Sequence, residues 1–219
     1  MEAEVVGDLI RIHTVMTRGL AVSIDHGRSF SKGQRDPDEF RGFIMYLRCL
    51  TSMLHAHHLT EDEVAFPYFK KFLPDIPYES LTKQHKQIIP NLDKVNEWIN
   101  ENKSSLPSEE MIMPLITHLD AIQTVWLPHI QLEESQFSEE NVTPVIDMND
   151  RIQIGKLLAN HSRSHQNSGI EMLAFILYNM KSEDRLIMTG TIPWFFRKVL
   201  LNGLLKNQWK PLRPYLLPV

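Results

Sequence analysis

Apolar residues recur along this chain every three to four positions, and no stretch shows the alternation of a half-buried strand. Leu9, Ile10, His13, Met16 and Leu20 lie toward one side of a helix read over residues 3–25. A polar Gly/Ser loop is expected over 27–35. Asp36-Pro37 then supplies an N-cap with proline at the first helical position, and a second helix runs over 37–72, stopping before Pro74. Pro67 falls inside that span and predicts a kink or an early end. A third helix covers 78–101 and should bend at Pro90; a fourth covers 108–138 with a kink at Pro128. A break is expected over 141–144. The stretch 147–219 reads as two or three shorter helices, with Ser182 as an N-cap and Pro193 starting the last one. The ending WKPLRPYLLP carries too much proline for a helix.

The pattern predicts an all-α chain. With 219 residues, 42% of them hydrophobic, it can bury a core and suits one domain with an extension, read as 1–145 and 146–219. A net charge of −4 gives no reason to expect nucleic acid. No apolar run approaches the ~18–20 residues that span a bilayer, and the acidic start MEAEVV does not resemble a secretory leader. Cys49 is the sole cysteine, so it reads as a small buried hydrophobe in a reducing, cytoplasmic setting.

The unusual count is ten histidines. His57 and Glu61 leave one face of the second helix a turn apart, and His129 and Glu133 do so on the fourth. One such pair is weak evidence for anything. However, His13, His57 and Glu61 recur as His85, His129 and Glu133, each 72 residues after its counterpart, and Leu9 and Leu47 recur as Leu81 and Leu119. This is an internal repeat of a helical hairpin, and two hairpins packed antiparallel make an up-down-up-down four-helix bundle. Four histidines and two glutamates would then converge near its middle. Positions a turn from them are apolar, including Met16, Leu54, Ile88, Val125, Trp126 and Phe137, so the set belongs to the core stripe. Burying two unpaired carboxylates is costly, and a dication removes that cost. The competing reading is a bundle whose core histidines are satisfied by hydrogen bonds alone. Imidazole with carboxylate suits iron, manganese or zinc, and two glutamates that can bridge favour two ions.

The segments HAHHLTEDEVAFPYF and HIQLEESQF resemble the second and fourth helices of the hemerythrin-like HHE cation-binding family, and RIH and KQHKQI its first and third. The resemblance covers about residues 5–140. It implies two iron ions bridged by carboxylates and an oxo or hydroxo group, held by His13, His57, Glu61, His85, His129 and Glu133. Oxygen-carrying members place a second histidine a turn away on the third helix, where this chain has Leu81 and Ile89. His58 is the substitute that some relatives point to, among them the iron-sensing domain of a eukaryotic ubiquitin ligase. Its other reading is a hydrogen-bonding neighbour of the ligands. The tail beginning PWFFRKVLL is similar to tails that follow this domain in some members.

Several features remain outside that pattern. His55 is expected to face away from the ligands. His161 and His165 have metal-compatible spacing but read as a surface helix end, and His26 and His118 have no partner pattern. Thr17 and Thr82, at helical spacing from His13 and His85, could add polarity near the centre. Arg197, Lys198, Lys206, Lys210 and Arg213 lie among Trp194, Phe195, Phe196 and several leucines, which reads first as a face covering the bundle and second as a membrane-surface or partner helix. The functional expectation is a centre that binds O2 or senses oxygen, iron or redox state. The alternative is an oxygenase, oxidase or peroxide-consuming enzyme whose pocket the extension completes. Iron storage is a third reading.

Overall fold

The computed structural model describes residues 5–32, 36–103, 107–167, 169–189 and 206–218, and among these there is no strand. The long helices are α1 (Val5–Ser31), α2 (Pro37–Thr60), α4 (Tyr78–Asn102) and α5 (Glu109–Gln136), with the short α3 (Phe66–Phe69) after α2. They pack as a ring: α1 touches α2 and α5, and α4 touches α2 and α5. After them come α6 (Glu139–Val142), α7 (Met148–His165), α8 (Ile170–Asn179), α9 (Ser182–Met188) and α10 (Lys206–Trp209).

Helix α1 continues to Ser31, through the first five residues of the segment expected to be a Gly/Ser loop. A side chain on Gly27 would lie 3.2 Å from Ile116, so the glycine allows close approach of α5. Phe30, one turn on, is buried with its ring 5.5 Å from Phe40 and 5.2 Å from Phe43. Packing of that turn outweighs the poor helix propensity of glycine. At the start of α2, Asp36 accepts a bond from the Asp38 N–H and Pro37 opens the helix, as read from the sequence.

The second long helix does not continue as one α-helix over 37–72. It ends at Thr60 and passes into a π-helical segment, Glu61–Ala65, where the Phe66 N–H bonds the Glu61 carbonyl five residues back. Pro67 gives the reason. It cannot donate to the Glu63 carbonyl and its ring would strike that oxygen, so the chain widens just before it. By contrast, α4 passes through Pro90 and α5 through Pro114 and Pro128 as continuous helices. The break expected over 141–144 begins later, because α6 occupies 139–142, and Lys181, not Ser182, is the N-cap of α9.

The later elements pack back on the ring: α7 against α1, α2 and the π segment, and α8 against α1 and α2. The proline-rich ending is not irregular; Lys210–Tyr215 forms a 3₁₀ helix against α2. A buried polar knot ties it down. Tyr46 donates to Asn179 Oδ1 at 2.8 Å, Arg18 donates to the same oxygen and to the Tyr215 carbonyl at 2.9 Å, and Tyr215 donates to the Glu39 carbonyl at 2.6 Å. The helix expected from Pro193 and the basic residues Arg197 and Lys198 lie outside the described residues. Among the described residues no helix is long and apolar enough to cross a membrane.

Gly42 seats this terminal turn, since a Cβ there would fall on the Pro211 carbonyl oxygen. Gly42→Ala should therefore lift residues 210–215 from α2 and cost roughly 1–3 kcal/mol. Hydrogen exchange should show it as lost protection at the Leu217 N–H, which bonds the Tyr178 carbonyl at 2.8 Å.

Candidate metal centre

The ring of helices holds two apolar clusters separated by a polar layer. One cluster includes Met16, Leu54, Ile88 and Trp126; the other includes Val6, Ala65, Leu81 and Phe137. On each helix the polar residues fall between these: His13 on α1, His57 and His58 on α2, Glu61 at the head of the π segment, His85 on α4, and His129 and Glu133 on α5. All seven are buried. Their ligating atoms form two groups, His13/His57/Glu61/Glu133 and His58/His85/His129, within each of which the atoms lie inside 4.8 Å of one another.

The carboxylates straddle the groups. Glu61 places Oε1 2.9 Å from His57 Nε2 and Oε2 3.3 Å from His85 Nε2. Glu133 Oε2 lies 3.4 Å from His13 Nε2 and 3.5 Å from His129 Nε2. Each glutamate thus meets the histidine a turn away on its own helix and the single histidine of the other hairpin. The same cross-pairing governs the outer ring nitrogens. Asp62 accepts from His85 Nδ1 at 3.0 Å and Glu134 accepts from His13 Nδ1 at 2.8 Å. Thr82 donates to Asp62 at 3.0 Å, and Gln84 accepts from His129 Nδ1 at 3.1 Å. A proton held at Nδ1 leaves the Nε2 lone pair directed inward.

Sequence reasoning missed Asp62, Glu134 and Gln84. Asp62 and Glu134 were visible, because they continue the 72-residue repeat by one position. His58 breaks it, since its counterpart is Ile130. The His58 ring is fully buried, 4.5 Å from the ring of His85 and 5.7 Å from that of His129. The Trp126 ring stands 5.4 to 5.9 Å from those of His13, His57, His58 and His129, and its N–H donates to Thr17 at 2.9 Å. The polarity expected of Thr17 and Thr82 is therefore spent on orienting Trp126 and Asp62.

The inward atoms are short of hydrogen bonds. Among the described residues, His13 Nε2, His57 Nε2, both nitrogens of His58, both oxygens of Glu61 and Glu133 Oε2 are buried without a well-directed partner, although several lie within 3.5 Å of one another. These atoms belong to residues of the two groups whose members lie within 4.8 Å of one another. Buried groups left in this way are costly, and a cation accepts all these lone pairs together. The donor set, imidazole and carboxylate with no thiolate, fits a transition metal.

Charge within the layer is uneven. Burial lowers His57, and it lowers His58 well below the ordinary imidazole value and His129 to about 3. At His13 and His85 burial also disfavours charge, but Glu133, Glu134, Asp62 and Glu61 outweigh it and raise both to about 9. Burial and the nearby Glu61 raise Glu133 to about 7. Burial pushes Glu61 upward too, yet His57 and His85 hold it well below the usual carboxylate range. Two buried carboxylates draw positive charge into the layer.

The model of the hemerythrin HHE cation-binding domain matches residues 5–166. The chain belongs to that family. No curated protein and no solved structure matches it significantly. The hemerythrin match runs past the fourth long helix to the end of α7, so it includes an element outside the repeated hairpins. Family and geometry together support metal-ion binding by the buried His/Glu cluster.

Helix α7 also corrects the reading of His161. It is not a bare surface residue: His161 Nδ1 lies 2.9 Å from Thr60 Oγ1 and its Nε2 lies 2.9 Å from Glu63, one on each side of Glu61. His165 Nδ1 bonds the His161 carbonyl at 2.9 Å. His55, as expected, faces away and pairs with Asp93 at 3.3 Å; His118 bonds Asn91 at 2.9 Å; Cys49 is buried. His161→Ala should loosen the π segment. Amide exchange at residues 61–65 should speed up while the core of α5 is unchanged, and metal binding should weaken by roughly tenfold, as when other supports of ligands are removed.

Proposed function

We propose that residues 1–145 form an up-down-up-down bundle holding two iron ions, and that the chain is an O2-dependent diiron enzyme, an oxidase or oxygenase. The straddling of both histidine groups by Glu61 and Glu133 supports two ions. Manganese or zinc would suit the same donors. Two adjacent iron ions supply redox chemistry, the paired electron transfers that O2 requires.

The observation that carries the enzyme reading is a cavity of about 390 Å³ with His57, Glu61 and Glu133 in its wall. O2 alone needs far less; this is the size of a site for an organic molecule. The rest of its wall is largely apolar and includes Leu9 and Ile12 of α1, Met53 of α2, Phe69 of α3, and Leu158 and Leu173 from the extension. An apolar wall strengthens the charges it surrounds and limits stray proton delivery. The same apolar lining favours a second reading, reversible O2 binding or sensing.

The deciding experiment loads the metal-free protein with ferrous iron without air, counts iron per chain, and then admits O2 under optical observation. About two irons and rapid irreversible oxidation support the enzyme. A stable oxygen-dependent band lost on degassing would move the assignment to carriage or sensing. A folded chain that takes up no transition metal would end both.

A further inference from the structure

We infer that the cavity beside the centre is a channel for a linear aliphatic molecule with an anionic end group, and that Arg163 receives that end. The inference rests on the enzyme reading and names its substrate class.

Shape is the first argument. The wall contributed by α2, the π segment and α3 contains Met53, His57, Glu61, Ala65 and Phe69, one residue per turn along a single face. At ~1.5 Å per residue that stripe is roughly 24 Å long. From α7 come Gly155, Ala159 and Ser162, again on one face, with Gln166 just beyond its end, and from α1 come Val5, Leu9 and Ile12. Leu173, Ile176 and Leu177 of α8 close the space over these stripes, so the cavity of about 390 Å³ has wall residues spread along several turns of α1, α2 to α3, and α7. An apolar space walled over that length suits an extended chain better than a compact body of similar volume.

The metal ligands stand beside the path and not at its end. Met53 lies one turn before His57 and Phe69 two turns beyond Glu61, so a chain filling the channel would pass the centre part-way along its length. His57, the most exposed of the seven ligands at 8%, marks where the channel meets the centre.

Charge places the head group. The wall carries Glu61 and Glu133, which repel an anion from the inner side. Asp8, at the α1 side, is already bridged by Arg11 at 2.8 Å. Arg163 is exposed, donates through Nε to the Ala159 carbonyl at 3.1 Å, and has no carboxylate partner among the described residues. Its guanidinium is the cation of the wall positioned for a carboxylate or similar group.

Calorimetry with dodecanoate, dodecanol and adamantane carboxylate, on metal-free and iron-loaded protein, tests this directly. Dodecanoate should bind at least about tenfold more tightly than adamantane carboxylate, which has the same charge and a compact body. Arg163→Gln should weaken dodecanoate about tenfold and leave dodecanol unchanged. Gly155→Leu, which suits a helix better than glycine and fills the channel, should abolish dodecanoate binding with iron content intact. Equal binding of the compact anion, indifference of dodecanoate to Arg163→Gln, or no binding of any probe to either form would overturn the channel. Iron content is read separately: iron without chain binding ends this inference alone, and chain binding by a protein that takes up no iron ends the diiron reading alone.

Discussion

Glu61→Ala should cost the protein both of the metal ions proposed for it, where a single histidine substitution such as His57→Ala costs one. The reason is position. Glu61 reaches His57 with one oxygen and His85 with the other, and those histidines belong to different groups of donors. Removing it withdraws a negative ligand from both groups and leaves His85 without the carboxylate facing its Nε2. We expect affinity for each ion to fall at least about a hundredfold, or roughly 2.7 kcal/mol. Glu61→Gln should do nearly the same, because the amide keeps the shape and loses the charge. The measurement is metal per chain after equilibration with limiting ferrous iron, beside circular dichroism to confirm the helices. Retention of one tightly held ion in Glu61→Ala would show that the carboxylate serves only one position.

His58→Leu should move two quantities in opposite directions. The ring is fully buried, neither nitrogen has a partner among the described residues, and burial holds it neutral. A buried polar group without a bond costs about 1–3 kcal/mol, and leucine of similar shape removes that cost. The metal-free variant should therefore melt several degrees above the parent. With metal the sign reverses: His58 stands with His85 and His129 as the third donor of their group, so iron there should bind at least about tenfold more weakly. Thermal melts of both forms with and without iron measure the two effects. A more stable metal-free variant with unchanged iron affinity would make His58 a spectator. A less stable metal-free variant would mean that the ring has a structural partner.

How much of this was legible beforehand depends on the range of the interaction. The spacing of His57 to Glu61 and of His129 to Glu133 is local, so helical geometry already put each pair on one face. The repeat linked them to His13 and His85, and apolar periodicity carried the all-α reading. The π segment was not legible. Pro67 announces trouble, but whether a helix kinks, ends or widens depends on what packs around it, and α7 packs here. The start of the loop predicted at 27–35 failed for the same reason, since residues 27–31 are helical where Ile116 and Phe43 close on the turn at Gly27. His161 had no carboxylate near it in sequence; its partner Glu63 arrives from a helix 98 residues away.

Periodicity, capping residues and an internal repeat are properties of neighbours along the chain. The sequence by itself therefore determined that this protein is helical, that it is built from a repeated hairpin, and that six repeated side chains form a set. Which hairpin orients which histidine was decided only in three dimensions: Asp62 turns to His85 and Glu134 to His13 because α2 packs on α4 and α1 on α5. The fold also drew His58 into the layer and walled a cavity beside it with α7 and α8. Those outcomes depend on which apolar faces bury one another, and that is settled by the packing of the whole chain.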